Sequence, residues 1–309
     1  MDAPIRMIFY GTQQFAVTVL QVLLKSPMIE VGLVVTQPDK PTGRKKEVVF
    51  SPIKTVALQH DIPIVQPDSL KSWVPEMQDV DLAVVAQYGN IIPERLLSLP
   101  VYGTLNVHTS LLPKYRGASP IQTAILHGET KTGVTIMKMD KGLDTGPILI
   151  QEEITIDPDE TYPQLDARLA VVGANLLART IPPYISGSLV LAEQDNSAAT
   201  TCTQLTRDDG LVDWQKSAQH IYNQYRAMTP WPGIWTTWNG RRLKLLRVKP
   251  ADLGSSRPGR ASAHDNAFFV ETADGALEIV ELQMEGKTVM TASQFLSGNH
   301  RIVGADLGI

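Results

Sequence analysis

The folds open to this chain are limited most by a change of rhythm past its middle. Over the first half, short apolar runs alternate with amphipathic ones. Residues 5–9, 31–35 and 81–86 are apolar over strand lengths, whereas 14–24 and 52–60 repeat their apolar positions at helical spacing. This alternation predicts a parallel sheet with helices on its faces, because parallel neighbours need a crossover long enough to hold a helix. A strand over 105–108, a helix over 121–126, a strand pair over 134–139 and 148–156 and a helix over 162–184 extend the pattern. Between 188 and 207 the composition shifts to Ala, Thr, Ser, Asn and Gln, as in a surface linker. Beyond it, one helix (217–228) precedes strand-like runs at 234–238, 243–248, 267–271 and 277–282, punctuated by Asn239-Gly240 and Asp274-Gly275. The expected architecture is α/β: a Rossmann-like, mostly parallel domain over 1–188, a linker over 189–206, and a smaller OB-like β-barrel over 207–309.

Several classes of function are excluded at this level. The richest apolar runs have strand length and end in turn residues, and the start, Met1-Asp2-Ala3-Pro4-Ile5-Arg6, lacks the basic head and long apolar stretch of a leader; a cytoplasmic protein with no membrane contact is expected, and a monomer. The single cysteine, Cys202, allows no intrachain disulfide and no cysteine-rich metal site. His60, His127 and His220 stand at no ligand spacing, so no metal requirement is expected. Gly11-Thr12 follows the first strand, but the next residues lack the further glycines of a dinucleotide-binding turn.

Charge is uneven. The net charge is −4, yet residues 205–309 hold 12 Lys and Arg against 11 Asp and Glu, near +1, which leaves about −5 for the rest. Within them, residues 241–260 carry seven basic side chains and one acidic, Asp252. A local field of that sign attracts polyanions that the total charge conceals.

The residues best suited to chemistry lie in Thr104-Leu105-Asn106-Val107-His108. Positions i and i+2 of a strand share a face, so Asn106 and His108 project together near the carboxyl end of a strand, where open α/β sheets bind ligands. Asp144, in the Gly-rich turn 140–147, can meet the imidazole. Together these supply an amide donor, a titratable ring and a carboxylate, with no activated nucleophile nearby: Thr109 and Ser110 are in no nucleophile-elbow pattern. The chemistry that remains is acyl transfer to a nucleophile that arrives with the substrate, the oxyanion held by Asn106 and protonated His108 and protons managed by Asp144.

These motifs, Asn-Val-His-Thr-Ser-Leu-Leu-Pro-Lys-Tyr-Arg-Gly-Ala-Ser-Pro-Ile-Gln at 106–122 and Gly-Val-Thr-Ile-Met-Lys-Met-Asp-Lys-Gly-Leu-Asp-Thr-Gly-Pro-Ile-Leu at 133–149, resemble the signature of the folate-dependent formyltransferases, and similarity continues through 9–16, 36–46, 87–97, 213–233 and 282–298. The resemblance implies that Asn106, His108 and Asp144 are the catalytic trio. It implies a site for 10-formyltetrahydrofolate lined by Ser110, Leu111, Leu112, Pro113, by Gln87, Tyr88, Gly89, Asn90, Ile91, and by Lys138, Met139 and Asp140. This chain departs from the family at Gln13, where Pro is common, at Gln87, where Ala is common, and at Lys45, where Gly is usual.

The trio does not select the acceptor. The basic loop with Lys40, Arg44, Lys45 and Lys46, and the basic run with Arg241, Arg242, Lys244 and Arg247, point to a polyanion such as RNA; with them, the family resemblance implies as acceptor the α-amine of methionine on initiator methionyl-tRNA. The alternatives are glycinamide ribonucleotide or an amino-sugar nucleotide, which would not need both features, water, as in a formyltetrahydrofolate hydrolase, and an inactive RNA-binding module.

Overall fold

The computed structural model describes residues 3–42, 47–77, 79–254 and 257–308, with the backbone alone at 40–42, 47 and 48. They form two compact units: Met1–Pro120, Lys131–Thr155 and Asp166–Thr203 make the first, and Ile121–Thr130, Ile156–Leu165 and Gln204–Ile309 the second.

Up to residue 120 the chain forms β1 (Ile5–Gly11), α1 (Gln14–Leu23), β2 (Ile29–Val35), β3 (Lys40–Thr42), β4 (Glu47–Val49), α2 (Pro52–Gln59), β5 (Ile64–Val65), β6 (Leu82–Ala86), α3 (Glu94–Leu97), β7 (Thr104–His108) and β8 (Arg116–Gly117). Then come α4 (Pro120–Leu126), β9 (Lys131–Lys138), β10 (Ile148–Thr155), α5 (Tyr162–Ile185) and β11 (Thr201–Cys202).

The main sheet has seven strands in the order β10-β9-β7-β6-β1-β2-β5. From β7 to β5 all neighbours are parallel, while β9 and β10 add antiparallel pairs at the other edge. The centre is apolar on both faces: every residue of β6 is buried, whereas β10 alternates more. Helix α1 buries Phe15, Ala16, Val19, Leu20 and Leu23, one stripe at helical spacing. The chain leaves β1 toward β2 and β5 and returns to β6 on the opposite side, so the switch point, where such sheets open a crevice, lies between β1 and β6. There the Thr12 hydroxyl donates to the Tyr88 carbonyl at 3.0 Å.

The second unit carries α6 (Ala218–Met228), β12 (Ile234–Trp238), β13 (Arg241–Ala251), β14 (Ala261–His264), β15 (Ala267–Thr272), β16 (Gly275–Met284), β17 (Met290–Thr291) and α7 (Ala292–Gly298). Its six-stranded sheet runs β12-β13-β16-β15-β14 with β17 against β16, all antiparallel. Register shifts on either side of Arg247 bend β13, the device by which antiparallel sheets curl into barrel-like forms. Leu243, Leu245, Phe268, Val270, Leu277 and Ile279 fill the inner face, and Phe295 of α7 packs on Trp238 and Phe268.

The α/β reading with a separate antiparallel β domain matches this architecture. Elements absent from the sequence reading are short. The stretch read as a basic loop is flanked by a hairpin, with Lys40 paired to Val49 and Thr42 to Glu47. Helix α3 is a single turn and α7 has seven residues, too little for a periodic signal.

Candidate active site

Strand β7 pairs Asn106 with Val85 of β6 and with Met137 of β9. Alternation puts Asn106 and His108 on one face and Val107 on the other. That other face is held closely by α5: a Cβ at Gly173 would stand 2.7 Å from a Val107 methyl, so only glycine allows the helix this near.

Asp144 reaches the same place from the turn between β9 and β10. The turn is tied internally, since the Asp140 carboxylate accepts from Gly142 N–H at 2.9 Å and from the Thr145 hydroxyl at 2.7 Å. A Cβ at Gly146 would fall 1.9 Å from the Lys138 carbonyl. Asp144 itself adopts a left-handed φ of 53°. Its Oδ2 accepts the Gly117 N–H at 2.8 Å, its Oδ1 faces Asn106 Nδ2 at 3.4 Å, and Oδ2 stands 3.7 Å from His108 Nδ1. On the far side of the ring, His108 Nε2 lies 3.0 Å from the Tyr115 carbonyl. A carbonyl only accepts, so Nε2 carries a proton.

These contacts fall into two groups. The short ones, Gly117 to Asp144 and His108 to Tyr115, hold the side chains in place. The long ones, from Asn106 Nδ2 at 3.4 Å and His108 Nδ1 at 3.7 Å, converge on the same carboxylate. His108 is only 5% exposed, so the groups meet where water competes little.

More distant residues fix this arrangement. The Gln194 amide donates to the Asp144 carbonyl at 2.9 Å and to the Gly146 carbonyl at 2.7 Å. Buried Arg116 in turn donates to Gln194 Oε1 through Nε and Nη2, at 3.0 and 2.8 Å, and to Asn196 Oδ1 at 2.9 Å. Tyr115 N–H donates to the Thr200 hydroxyl at 2.9 Å, and β11 pairs with β8. Arg116 and Gly117 lie within the first signature motif, though the resemblance assigns them no role. Gln194 and Thr200 lie in the stretch whose composition reads as linker, and no local signal points to them.

The residues assigned to folate lie on three segments. Ser110 is fully buried; its hydroxyl donates to the Lys114 carbonyl at 2.6 Å and its carbonyl accepts from the Thr135 hydroxyl at 2.7 Å. The Gln151 amide holds the Leu112 carbonyl at 2.7 Å, and the Leu112–Pro113 bond is cis. Leu112 is buried, while Leu111 and Pro113 are partly exposed. In the second segment, Gln87 and Gly89 have left-handed φ values of 42° and 81°. Tyr88 is buried, its ring edge-on against Tyr10 at 5.6 Å and its carbonyl accepting from the Thr12 hydroxyl and the Gln37 amide at 3.0 and 2.9 Å. Asn90 is exposed and Ile91 is 91% exposed. Gln87 Nε2 donates to Asp166 of α5 at 2.8 Å; burial pushes this carboxyl above the usual carboxylate range, with the Gln87 bond acting in the opposite direction. In the third segment, Lys138 pairs with Leu105 and the Met139 N–H donates to the Thr104 carbonyl at 2.8 Å, both toward the entrance of β7. Exposed Asp140 then begins the turn that returns to Asn106 through Asp144.

The basic residues are not equivalent. Arg44, Lys45 and Lys46 lie outside the described residues, and Lys40 is described as backbone of β3. Arg241 donates to the Glu285 carbonyl at 2.9 Å and lines a cavity of about 220 Å³ with Trp238, Lys287 and Phe295. Arg247 is paired with Glu281 at 2.8 Å, and Arg257 and Arg260 with Asp306 at 2.7 and 3.4 Å. The Arg242 guanidinium lies 4.1 Å from the Trp235 ring centroid, and Lys244 is exposed. Among the described residues no cluster of three His, Cys, Asp or Glu side chains forms a candidate metal site, and no helix is long and apolar enough to cross a membrane.

The formyl transferase family profile matches residues 5–181, and that of the formyl transferase C-terminal domain matches 204–300. The chain belongs to the formyl transferase family. Among the relatives of this formyl transferase, a protein of Acidobacterium capsulatum named methionyl-tRNA formyltransferase is 44% identical over 301 residues, 95% of this chain and 96% of the relative. One of Geotalea daltonii with the same name is 43% identical over 98% of both chains. Solved structures share the fold. A sugar 3N-formyl transferase crystallised with dTDP and 5-N-formyl-THF has a TM-score of 0.66 at 24% identity, over 92% of this chain and 99% of that one. An N-formyltransferase of Helicobacter canadensis, in complex with folinic acid and dTDP-3-aminofucose, has a TM-score of 0.66 at 20% identity, over 89% of this chain and 98% of that one.

Proposed function

We propose that this formyl transferase moves the formyl group of 10-formyltetrahydrofolate to the α-amino group of methionine on initiator methionyl-tRNA, in the cytoplasm, where that tRNA is charged and used. The observation that carries the reading is likeness over nearly the full length, at 44% and 43% identity, to two proteins named methionyl-tRNA formyltransferase. Arg242 and Lys244 of the β domain, which form no ion pair among the described residues, support an RNA acceptor.

The donor supplies an activated formyl group. The residues available suit its flat, partly apolar ring system: the two loops beside the site carry apolar side chains left in solvent, Ile91 at 91% and Leu143 at 65% exposed, and the turn 110–113 uses its polar groups internally. The free α-amine, whose ordinary pKa of roughly 7.7–8.0 leaves a neutral fraction near pH 7, is the nucleophile. As its nitrogen bonds to the formyl carbon, negative charge grows on the formyl oxygen. Asn106 Nδ2 and His108 Nδ1–H are placed to donate to it, the ring kept in orientation by Nε2–H on the Tyr115 carbonyl. Asp144 balances the doubly protonated ring and accepts the amine proton, which leaves with the donor nitrogen when the old C–N bond breaks. Arg44, with Lys40, Lys45 and Lys46, is assigned to the acceptor end of the tRNA, since a guanidinium takes phosphate bidentately or stacks on a base.

The test offers the purified protein and 10-formyltetrahydrofolate charged initiator tRNA, glycinamide ribonucleotide, an amino-sugar nucleotide or water. Formylation of the tRNA and of none of the others is expected; turnover with a small acceptor alone overturns the assignment.

A further inference from the structure

Of the seven basic side chains in 241–260, Arg247, Arg257 and Arg260 are engaged by carboxylates and Arg241 by a carbonyl, and Lys249 stands across the ladder from Glu278. Arg242 and Lys244 are different. They are two apart on β13 and share its outer face, since Leu243 and Leu245 between and beyond them are core residues. Across the ladder Lys244 stands opposite Trp235 and Arg242 opposite Thr237, so Trp235 is the cross-strand neighbour of both cations. Its indole is fixed by a hydrogen bond from Nε1 to the Arg207 carbonyl at 3.0 Å and by the edge of Gly210, where a Cβ would come within 3.1 Å. The Arg242 guanidinium rests on this ring at 4.1 Å and, among the described residues, has no hydrogen bond or ion pair; the nearby Glu285 carboxylate accepts from the Arg242 backbone N–H instead. Lys244 likewise has no carboxylate partner among the described residues.

We propose that this face of β12–β13 is a phosphate clamp for RNA, with Trp235 as the positioning residue that holds Arg242 and Lys244 as the second charge. The clamp rests on the proposed function for the identity of its RNA, the acceptor tRNA. An indole under a guanidinium removes much of the rotamer freedom that a surface arginine must otherwise lose on binding, and leaves its N–H fork free for two phosphate oxygens. Two cations whose side chains have no ion pair among the described residues also release counterions when a phosphate replaces the solvent's anions. Within the basic run the geometry thus separates binding residues from those occupied within the fold, which the charge count could not do.

Binding of initiator tRNA to the full-length protein, measured by fluorescence anisotropy across a salt series, tests the clamp without requiring turnover. Arg242→Ala is expected to weaken binding about tenfold and to reduce the slope of log K against log salt by about one; Lys244→Ala should reduce the slope similarly. Trp235→Leu keeps every charge, so its slope should be unchanged while affinity falls about tenfold, and Trp235→Phe, which restores an aromatic face, should recover most of the loss. A folded Trp235→Leu protein that binds as the wild type does overturns the clamp, as does an Arg242→Ala protein with unchanged affinity and slope; should Trp235→Leu fail to fold, Arg242→Ala decides. The two readings fail separately. A wild-type enzyme that formylates tRNA while these variants are silent removes the clamp alone, and one that formylates only a small acceptor removes the proposed function, leaving the binding result to stand on its own.

Discussion

Asn106 and His108 are held by different means, and their substitutions should differ less in consequence than in cause. His108 is buried and tied to the Tyr115 carbonyl, while Asn106 touches the carboxylate only loosely, at 3.4 Å. Removing either donor from a preorganised oxyanion site costs on the order of 10²- to 10³-fold in kcat. Asn106→Ala and His108→Ala are expected to lose that much in steady-state formylation while folate binding, followed by quenching of protein fluorescence, changes far less; near-normal kcat in either variant would remove it from the catalytic role. Asp166 calls for a different measurement. Its folded pKa is raised by burial, so the stability tied to its protonated form is complete at pH values below its ordinary 3.8 and declines as pH climbs through the raised value. Asp166→Asn keeps an acceptor for Gln87 and removes the titration. The thermal midpoint of the variant should therefore gain on the wild type from about pH 4 upward and then level off; parallel curves would show that the carboxyl does not titrate in that window. The positions of Asn106, His108 and Asp144 were legible because strand periodicity and a Gly-rich turn are local signals. The residues that hold them were not: Gln194 is 50 positions from the Asp144 carbonyl it holds, and nothing local marks it.

At the scale of elements, the shortest strands bear most directly on the site. β8 and β11 are two residues each, yet their parallel pairing places Gly117 so that its N–H meets the Asp144 carboxylate. Gly117 has a φ of 121°, and a Cβ there would fall 2.1 Å from the Cys202 carbonyl. Gly117→Ala must therefore part the strands or turn the peptide, and either shifts the anchor of Asp144. A displacement of that kind can cost about 10²-fold without touching the reacting groups. The expected outcome is a fall in kcat of that order with Kd for folate largely retained; an unchanged kcat would mean that Asp144 does not depend on this anchor. No sequence pattern marks two-residue strands, because pairing, not periodicity, creates them. The long elements were legible for the opposite reason. β6 is apolar on both faces as the centre of a parallel sheet requires, and α6 opens at Ser217, whose hydroxyl accepts from the His220 N–H. The hairpin β3–β4 went unread because its strands have three residues each and one holds Pro41, too short for a periodic signal, and its pairing is visible only in the backbone.

At the scale of the whole molecule, the second unit is not a contiguous stretch of chain. It includes Ile121–Thr130 and Ile156–Leu165 as well as everything from Gln204 onward. Helix α6 grips the middle segment: Arg226, 4% exposed, donates to the Glu160 carbonyl at 3.1 Å, and the Tyr222 hydroxyl donates to Asp159 at 2.9 Å. Burial first, then the Asp159 carboxylate, push the Tyr222 hydroxyl up to about 12, so it remains a donor at any pH the protein meets. Hydrogen bonds that involve a charged group are worth roughly 1.5–3 kcal/mol each, and a domain of this size is stable by about 5–15 kcal/mol in all. We therefore propose that the β domain, excised as 204–309, loses a large part of its margin. The fragment is expected to unfold well below the full-length protein in thermal denaturation followed by circular dichroism. Arg226→Met in the full chain should lower the midpoint in the same direction by a smaller amount, since the apolar stem is kept while the hydrogen bonds and the guanidinium's contact with the Tyr222 ring go. A fragment that unfolds cooperatively at the full-length midpoint would show that the two inserted segments contribute nothing to the unit, and that the β domain folds from its own contiguous sequence.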